Sequence, residues 1–156
     1  MNLIAIVDKS FGIAKNGKQI IYIPDDLKHF KSLTLNKTVI LGRKTLTSFP
    51  SSKPLCDRTN FILSNNKNFK VTGATIFNSI NELISHSPSD AFVIGGESVY
   101  RELLPYCDTA YITLVDYDFK ADKFLPNLVE LGWKKLFESE IMEYNGYRYS
   151  YITFIR

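Results

Sequence analysis

The chain has 156 residues, 45% of them hydrophobic and 22% charged, with a formal charge of +3. That suits one soluble globular domain, residues 1–156, with a sizeable core, and is too short for two ordinary ones. No apolar run approaches the about 20 residues that cross a bilayer, and a pI near 8.8 without a basic stripe and interleaved aromatics is poor support for a nucleic-acid partner.

Met1–Asp8 lacks the basic lead and small-residue cleavage site of a signal peptide, and Leu3 to Val7 reads as a strand buried on both faces. Phe11 to Ile23 holds Gly12 and Asn16-Gly17 with few periodic apolar residues, so a long and functional loop is expected. Pro24 sets a helix start, and a helix is expected over Asp25 to Leu33, with Leu27, Phe30 and Leu33 facing a core. Thr38 to Leu41 is a second strand, turned by Gly42-Arg43-Lys44-Thr45 into a helix near Lys44 to Ser48. Asn60 to Leu63 is a third strand, ending in Ser64-Asn65-Asn66-Lys67. Ser79 with Glu82 three residues on forms a capping box for a helix to Ser85. Ala91 to Ile94 is a strand, Gly95-Gly96 follows, and Glu97 to Leu104 is helical. Thr109 to Val115 is a strand. Trp133 to Tyr144 and Tyr147 to Ile155 form a hairpin through Asn145-Gly146. This order predicts an α/β fold: a central, mostly parallel twisted sheet with an antiparallel C-terminal hairpin and helices on both faces.

In such sheets ligands bind beyond the carboxyl ends of the strands, near helix N-termini. Gly42-Arg43-Lys44-Thr45 is either a phosphate site or a solvated basic turn. Gly95-Gly96 before Glu97-Ser98-Val99-Tyr100 admits a ligand against backbone amides or is merely a tight turn. Neither standard nucleotide fingerprint occurs. Cys56 and Cys107 lack ligand spacing and read as free thiols. No metal cluster can be assembled, and His29 and His86 are expected at the surface. Asp26, in the first turn beside an apolar stripe, is either a helix cap or a site. By elimination it is the acid/base candidate, with Thr113 as partner; an apolar pocket would raise its pKa.

Taken in order, these segments resemble dihydrofolate reductase over essentially the whole chain. The resemblance rests on Gly12-Ile13, Ile23-Pro24-Asp25-Asp26-Leu27-Lys28-His29-Phe30, Val39-Ile40-Leu41-Gly42-Arg43-Lys44-Thr45, Pro54-Leu55 with Arg58, Asn60 to Ser64, Val93 to Tyr100, Tyr111-Ile112-Thr113, and Ala121-Asp122 before Phe124-Leu125-Pro126. It implies hydride transfer from NADPH to dihydrofolate in the cytoplasm, by a monomer open to antifolate inhibitors. Asp26 would grip the pterin, with Thr113 on its far side. Leu27, Phe30, Phe49 and Leu55 would wall the folate, and Arg58 would fork the carboxylate of its tail. Ile4, Ile6, Ile94 and Tyr100 would flank the pterin or the nicotinamide. Ile13, Gly42, Arg43, Lys44, Thr45, Ser64, Asn65, Gly95, Gly96, Glu97, Ser98 and Val99 would line the cofactor, with no metal.

The lid departs from the family pattern. It usually ends in leucine or methionine, proline, then tryptophan, where this chain has Gln19-Ile20-Ile21; the only tryptophan is Trp133. Ile6 stands where many relatives have alanine, and Ala14 replaces a frequent glycine. The reductase domain of riboflavin biosynthesis shares the fold, but Asp26 with Arg58 fits a pterin and a carboxylate tail instead.

Overall fold

The first apolar run forms β1, Asn2–Asp8. Leu3 and Val7 point to one face and Ile4 and Ile6 to the other, and all four are buried. A strand so enclosed belongs in the middle of a parallel sheet. The computed structural model describes residues 1–156. After β1 come β2 (Gly12–Lys15), β3 (Lys18–Gln19), α1 (Pro24–Thr34), β4 (Thr38–Gly42), α2 (Arg43–Thr47), β5 (Thr59–Leu63), β6 (Ala74–Phe77), α3 (Ile80–His86), β7 (Phe92–Gly95), α4 (Glu97–Leu103), β8 (Thr109–Val115), β9 (Lys123–Phe124), β10 (Lys134–Glu138), β11 (Met142–Tyr144) and β12 (Tyr147–Ile155).

The main sheet runs β10-β12-β8-β1-β7-β4-β5-β6, with β11 paired to β12. β1, β4, β5, β6, β7 and β8 are mutually parallel, and β12 is antiparallel to β8, β10 and β11. Alternate residues divide the core. Leu3, Val7, Ile40, Val93 and Ile112 pack with Leu83 of α3 and Val99 and Leu103 of α4. Ile4, Val39, Leu41, Ile62 and Phe92 pack with Leu46 of α2, and Phe30 and Leu33 of α1 lie against them. Helices therefore cover both faces, as the mostly parallel pattern requires.

β1 and β7 pair only at Asn2↔Phe92 and Leu3↔Val93. A register shift against β4 follows in β7. The two strands thus part at their carboxyl ends, where the chain order reverses around β1. That is the position at which open α/β sheets form a ligand crevice.

Several expectations need correction. Phe11 to Ile23 is not a plain loop: β2 and β3 form a hairpin around Asn16 (φ 51°) and Gly17 (φ 77°), which also pairs with β9. Asn-Gly is a strong hairpin turn, but strands of two to four residues leave little hydrophobic pattern. β6 and β9 are missing from the expected elements for the same reason. Trp133 to Tyr144 is two strands, interrupted at residues 139–141. Of the α1 stripe, Phe30 and Leu33 are half-buried and Leu27 is 50% exposed. The buried residues of that helix are Asp26 and Thr34, so its stripe lines an opening more than a core. His29 is half-buried, while His86 is exposed. Ser79 does cap α3, its hydroxyl accepting from Glu82 N at 3.4 Å. Cys56 and Cys107 are both free thiols.

Candidate active site

Pro24 opens α1, where its missing N–H loses no hydrogen bond. Asp25 and Asp26 fill the first turn, favoured there by the helix dipole. Asp25 stays exposed, whereas Asp26 turns inward and is only 7% exposed. Its Oδ1 accepts a hydrogen bond from Thr113 Oγ1 at 2.5 Å. No protein group donates to Oδ2, which leaves one oxygen for an outside donor. Burial pushes the Asp26 pKa above its ordinary value of 3.8, against the Thr113 bond and the field of His29, which lower it. A cap needs no such burial, and Asp26 makes no capping bond, so its carboxylate is open to an outside donor.

Apolar walls gather beside it. Ile4, with Phe30, Phe49, Leu55 and Ile94, belongs to one cluster built on β1, β4 and β7. Ile6 joins a second cluster with Ile23, Val115 and Tyr149, against which Ile21 packs. The Ile4 carbonyl, where β7 has left β1, accepts instead from the Tyr100 hydroxyl at 2.7 Å. Burial raises the pKa of that phenol, which keeps it a donor.

Arg58 is held at the other end of α1. Its Nε donates to Cys56 O at 2.8 Å and its Nη1 to Thr34 Oγ1 at 3.3 Å. It forms no ion pair within the chain, so the fork has capacity for an anion. The loop carrying Leu55 and Arg58 is stapled by Asn60. That side chain accepts from Leu55 N at 3.0 Å and donates to the carbonyls of Leu55 (2.9 Å) and Arg58 (3.1 Å).

Opposite lie the starts of α2 and α4. Neither has a side-chain cap, so their first amides are open to an anion. A Cβ on Gly42 would meet Val99 Cγ2 at 3.1 Å, and one on Gly96 would meet Thr45 Oγ1 at 3.1 Å. Glycine thus lets the two helix starts approach each other. The Gly95-Gly96 peptide is cis. Arg43 and Lys44 are exposed, Arg43 lying 5.9 Å from the Phe69 ring centre. Ser64 is buried, its Oγ accepting from Asn66 N at 3.1 Å; Asn65 and Ser98 are exposed. Paired cations, a hydroxyl and uncapped amides suit the phosphates of a dinucleotide. Ile13 lies against the large core cluster beside the lid. The Glu97 carboxylate is committed elsewhere, accepting from Phe124 N at 2.7 Å, and Val99 is buried.

A family model described as dihydrofolate reductase matches residues 1–156. The chain belongs to the dihydrofolate reductase family. It is 30% identical to the dihydrofolate reductase of Bacillus subtilis over 99% of this chain and 93% of that one. It is 32% identical to that of Staphylococcus aureus over 86% and 84%. Among solved structures, a dihydrofolate reductase from Enterococcus faecalis complexed with NADP(H) and RAB-propyl superposes with a TM-score of 0.88 at 31% identity, over 99% of this chain and 95% of that one. The chain is an NADPH-dependent oxidoreductase that reduces dihydrofolate to tetrahydrofolate, a step in one-carbon metabolism. No helix is long and apolar enough to cross a membrane.

Four residues around this crevice are not singled out by the sequence patterns. Asn60 carried a signal, since asparagine is disfavoured inside strands. Tyr151 carried another, in the alternate tyrosines 147, 149 and 151 of β12. His29 is one helical step from Asp26. Asp8 accepts from the nearby Ser10 and Gly12 amides, as an aspartate at a turn can, and from the distant Phe119 amide, a bond that only the tertiary structure shows.

Proposed function

We propose that the reaction takes place in the crevice between β1 and β7, with Asp26 as the group that holds the pterin. The observation that carries this is the buried Asp26–Thr113 pair, with one carboxylate oxygen unclaimed by the protein. That oxygen and its partner would take the ring's amino group and adjacent nitrogen in a charge-assisted pair. Thr113, already donating to Asp26, keeps lone pairs free for a ligand donor. Leu27, Phe30, Phe49 and Leu55 would wall the folate, with Ile4, Ile6 and Ile94 against the pterin. Arg58 would receive the tail carboxylate. Gly42 to Thr45, Ser64, Asn65, and Gly95 to Val99 would hold NADPH, with Ile13 at the lid. The residues present fit that group: the glycine-permitted approach of two uncapped helix starts suits phosphate, and Arg43 with Lys44 suits an extra ribose phosphate.

Bound NADPH supplies the hydride for carbon 6 of dihydrofolate. The chain's own work is alignment, exclusion of water and control of one proton. Tyr100 fixes the Ile4 carbonyl and so the strand edge under the ring. Asp26 orients the pterin and favours protonation of the nitrogen next to carbon 6, with water as the carrier. The whole chain acts as one domain, a monomer of the cytoplasm. The test follows loss of NADPH absorbance with dihydrofolate present and absent, then adds methotrexate. Substrate-dependent loss that methotrexate stops is the expected result. Asp26→Asn is expected to lower turnover at pH 7 by about 100-fold or more; near wild-type turnover would remove Asp26 from this role.

A further inference from the structure

Asp26 and His29 stand three residues apart on α1, the spacing that puts side chains on one helical face. Thr113, which donates to Asp26, pairs directly with Tyr151 across the β8/β12 ladder. Residues paired in that way project from the same face of a sheet. The His29 ring lies on the Tyr151 ring, with centres 3.9 Å apart and planes 22° from parallel. Asp26, Thr113, Tyr151 and His29 are therefore neighbours where one helix meets two strands. Neither imidazole nitrogen bonds to a protein group, and the ring is stacked on Tyr151. Neither the grip on the pterin nor the hydride transfer makes use of it.

We propose that His29 is a positioning residue of the reductase site, a cation-forming neighbour that keeps the Asp26 carboxylate ionised as the medium acidifies, with Tyr151 as its platform.

The electrostatics agree with the geometry. Burial raises the Asp26 pKa and lowers that of His29, so the two move toward each other. Each also favours the other's charged form. Groups coupled in this way titrate as a pair. The other titratable groups facing them are Tyr149 and Tyr151 of β12, whose phenols are raised by burial and by the fields of Asp26 and Asp25. Tyr151 is pushed up to about 12, so both stay neutral where the pair titrates. Lys28, the neighbour of His29 in the chain, is exposed. A proton on His29 then opposes a proton on Asp26, and the anionic grip on the pterin persists to lower pH.

The inference rests on Asp26 gripping the pterin, but its first test needs no substrate. The chain has only two histidines, so an NMR titration of the ring signals in the ligand-free protein gives two curves. Asp26→Asn is expected to move the His29 midpoint down and leave that of His86 in place; an unmoved His29 curve overturns the proposal. The second test is the pH profile of kcat/KM. His29→Phe, which keeps an aromatic ring on Tyr151, is expected to move the midpoint reporting Asp26 upward. His29→Lys, which keeps the charge, is expected to move it downward. Shifts of one sign in both variants, or no shift, mean a packing role only and overturn the proposal. If circular dichroism shows either variant unfolded, the Asp26→Asn titration by itself upholds or overturns the proposal.

Discussion

Asp26 carries a conflict between stability and chemistry in a single side chain. Its folded-state pKa lies above the ordinary 3.8, chiefly through burial. The folded protein therefore holds that proton more tightly than the unfolded chain. Stability from this group is full below 3.8 and is lost as pH rises through the folded value. Asp26→Asn removes that loss, so the variant is expected to melt above wild type at pH 7, with the gap closing toward pH 4. A gap that stays constant with pH would contradict the burial account. Ile6 and Ile21 form a second residue-scale case. Both touch one apolar cluster with Ile23, Val115 and Tyr149. A larger side chain than the alanine of many relatives thus shares one cluster with a smaller one than the lid's usual tryptophan. Ile21→Trp is expected to alter the pH dependence of turnover and, alone, to overpack the cluster by about 1–3 kcal/mol. Adding Ile6→Ala is expected to recover part of that in chemical denaturation; strictly additive effects would show that the two do not share space.

Short elements are held in place by single polar side chains. The lid hairpin is rooted by Asp8, whose carboxylate accepts from Ser10 N at 2.9 Å, Gly12 N at 2.8 Å and Phe119 N at 3.1 Å. A Cβ on Gly12 would overlap Ala121 Cβ and meet Asp8 Oδ1 at 2.9 Å, so no larger residue fits without movement. Gly12→Ala is expected to cost about 1–3 kcal/mol and to raise the KM for NADPH. At the far wall, Asn60→Leu removes three hydrogen bonds to the Leu55–Arg58 loop. Its expected signature is a raised KM for dihydrofolate, with destabilisation of about 1–3 kcal/mol. Helices and long strands such as α1, β4, β8 and β12 were legible because several turns or alternations repeat one pattern. β2, β3, β6 and β9 were not, because two to four residues cannot show a period.

At the scale of the molecule, the proposed site draws on elements from both halves of the chain. In the proposed reading, the residues for the pterin sit on β1, α1 and β8, and those for the cofactor at the starts of α2 and α4. NADPH at about 100 times its Kd is expected to stabilise the protein by ~2.7 kcal/mol, or about 5–10 °C in Tm for a chain of this size. Arg43→Ala is expected to shrink that shift at a fixed NADPH concentration, by scanning fluorimetry; an equal shift would remove Arg43 from phosphate binding. The sequence by itself determined the α/β class, the main helices, the C-terminal hairpin and, through its ordered motifs, the family. These are local patterns or matches of residue type in register along the chain, and neither needs coordinates. Only the tertiary structure decided that β7 returns beside β1 and parts from it after Leu3, that Leu27 lies half open, that Asp8 and Asn60 hold loops, and that His29 rests on Tyr151 beside Asp26. The strand parting, the exposure of Leu27 and the His29–Tyr151 stack depend on which distant strands become neighbours, a choice made by packing both faces of one sheet at once, whereas the Asp8 and Asn60 bonds depend mostly on the local path of the chain.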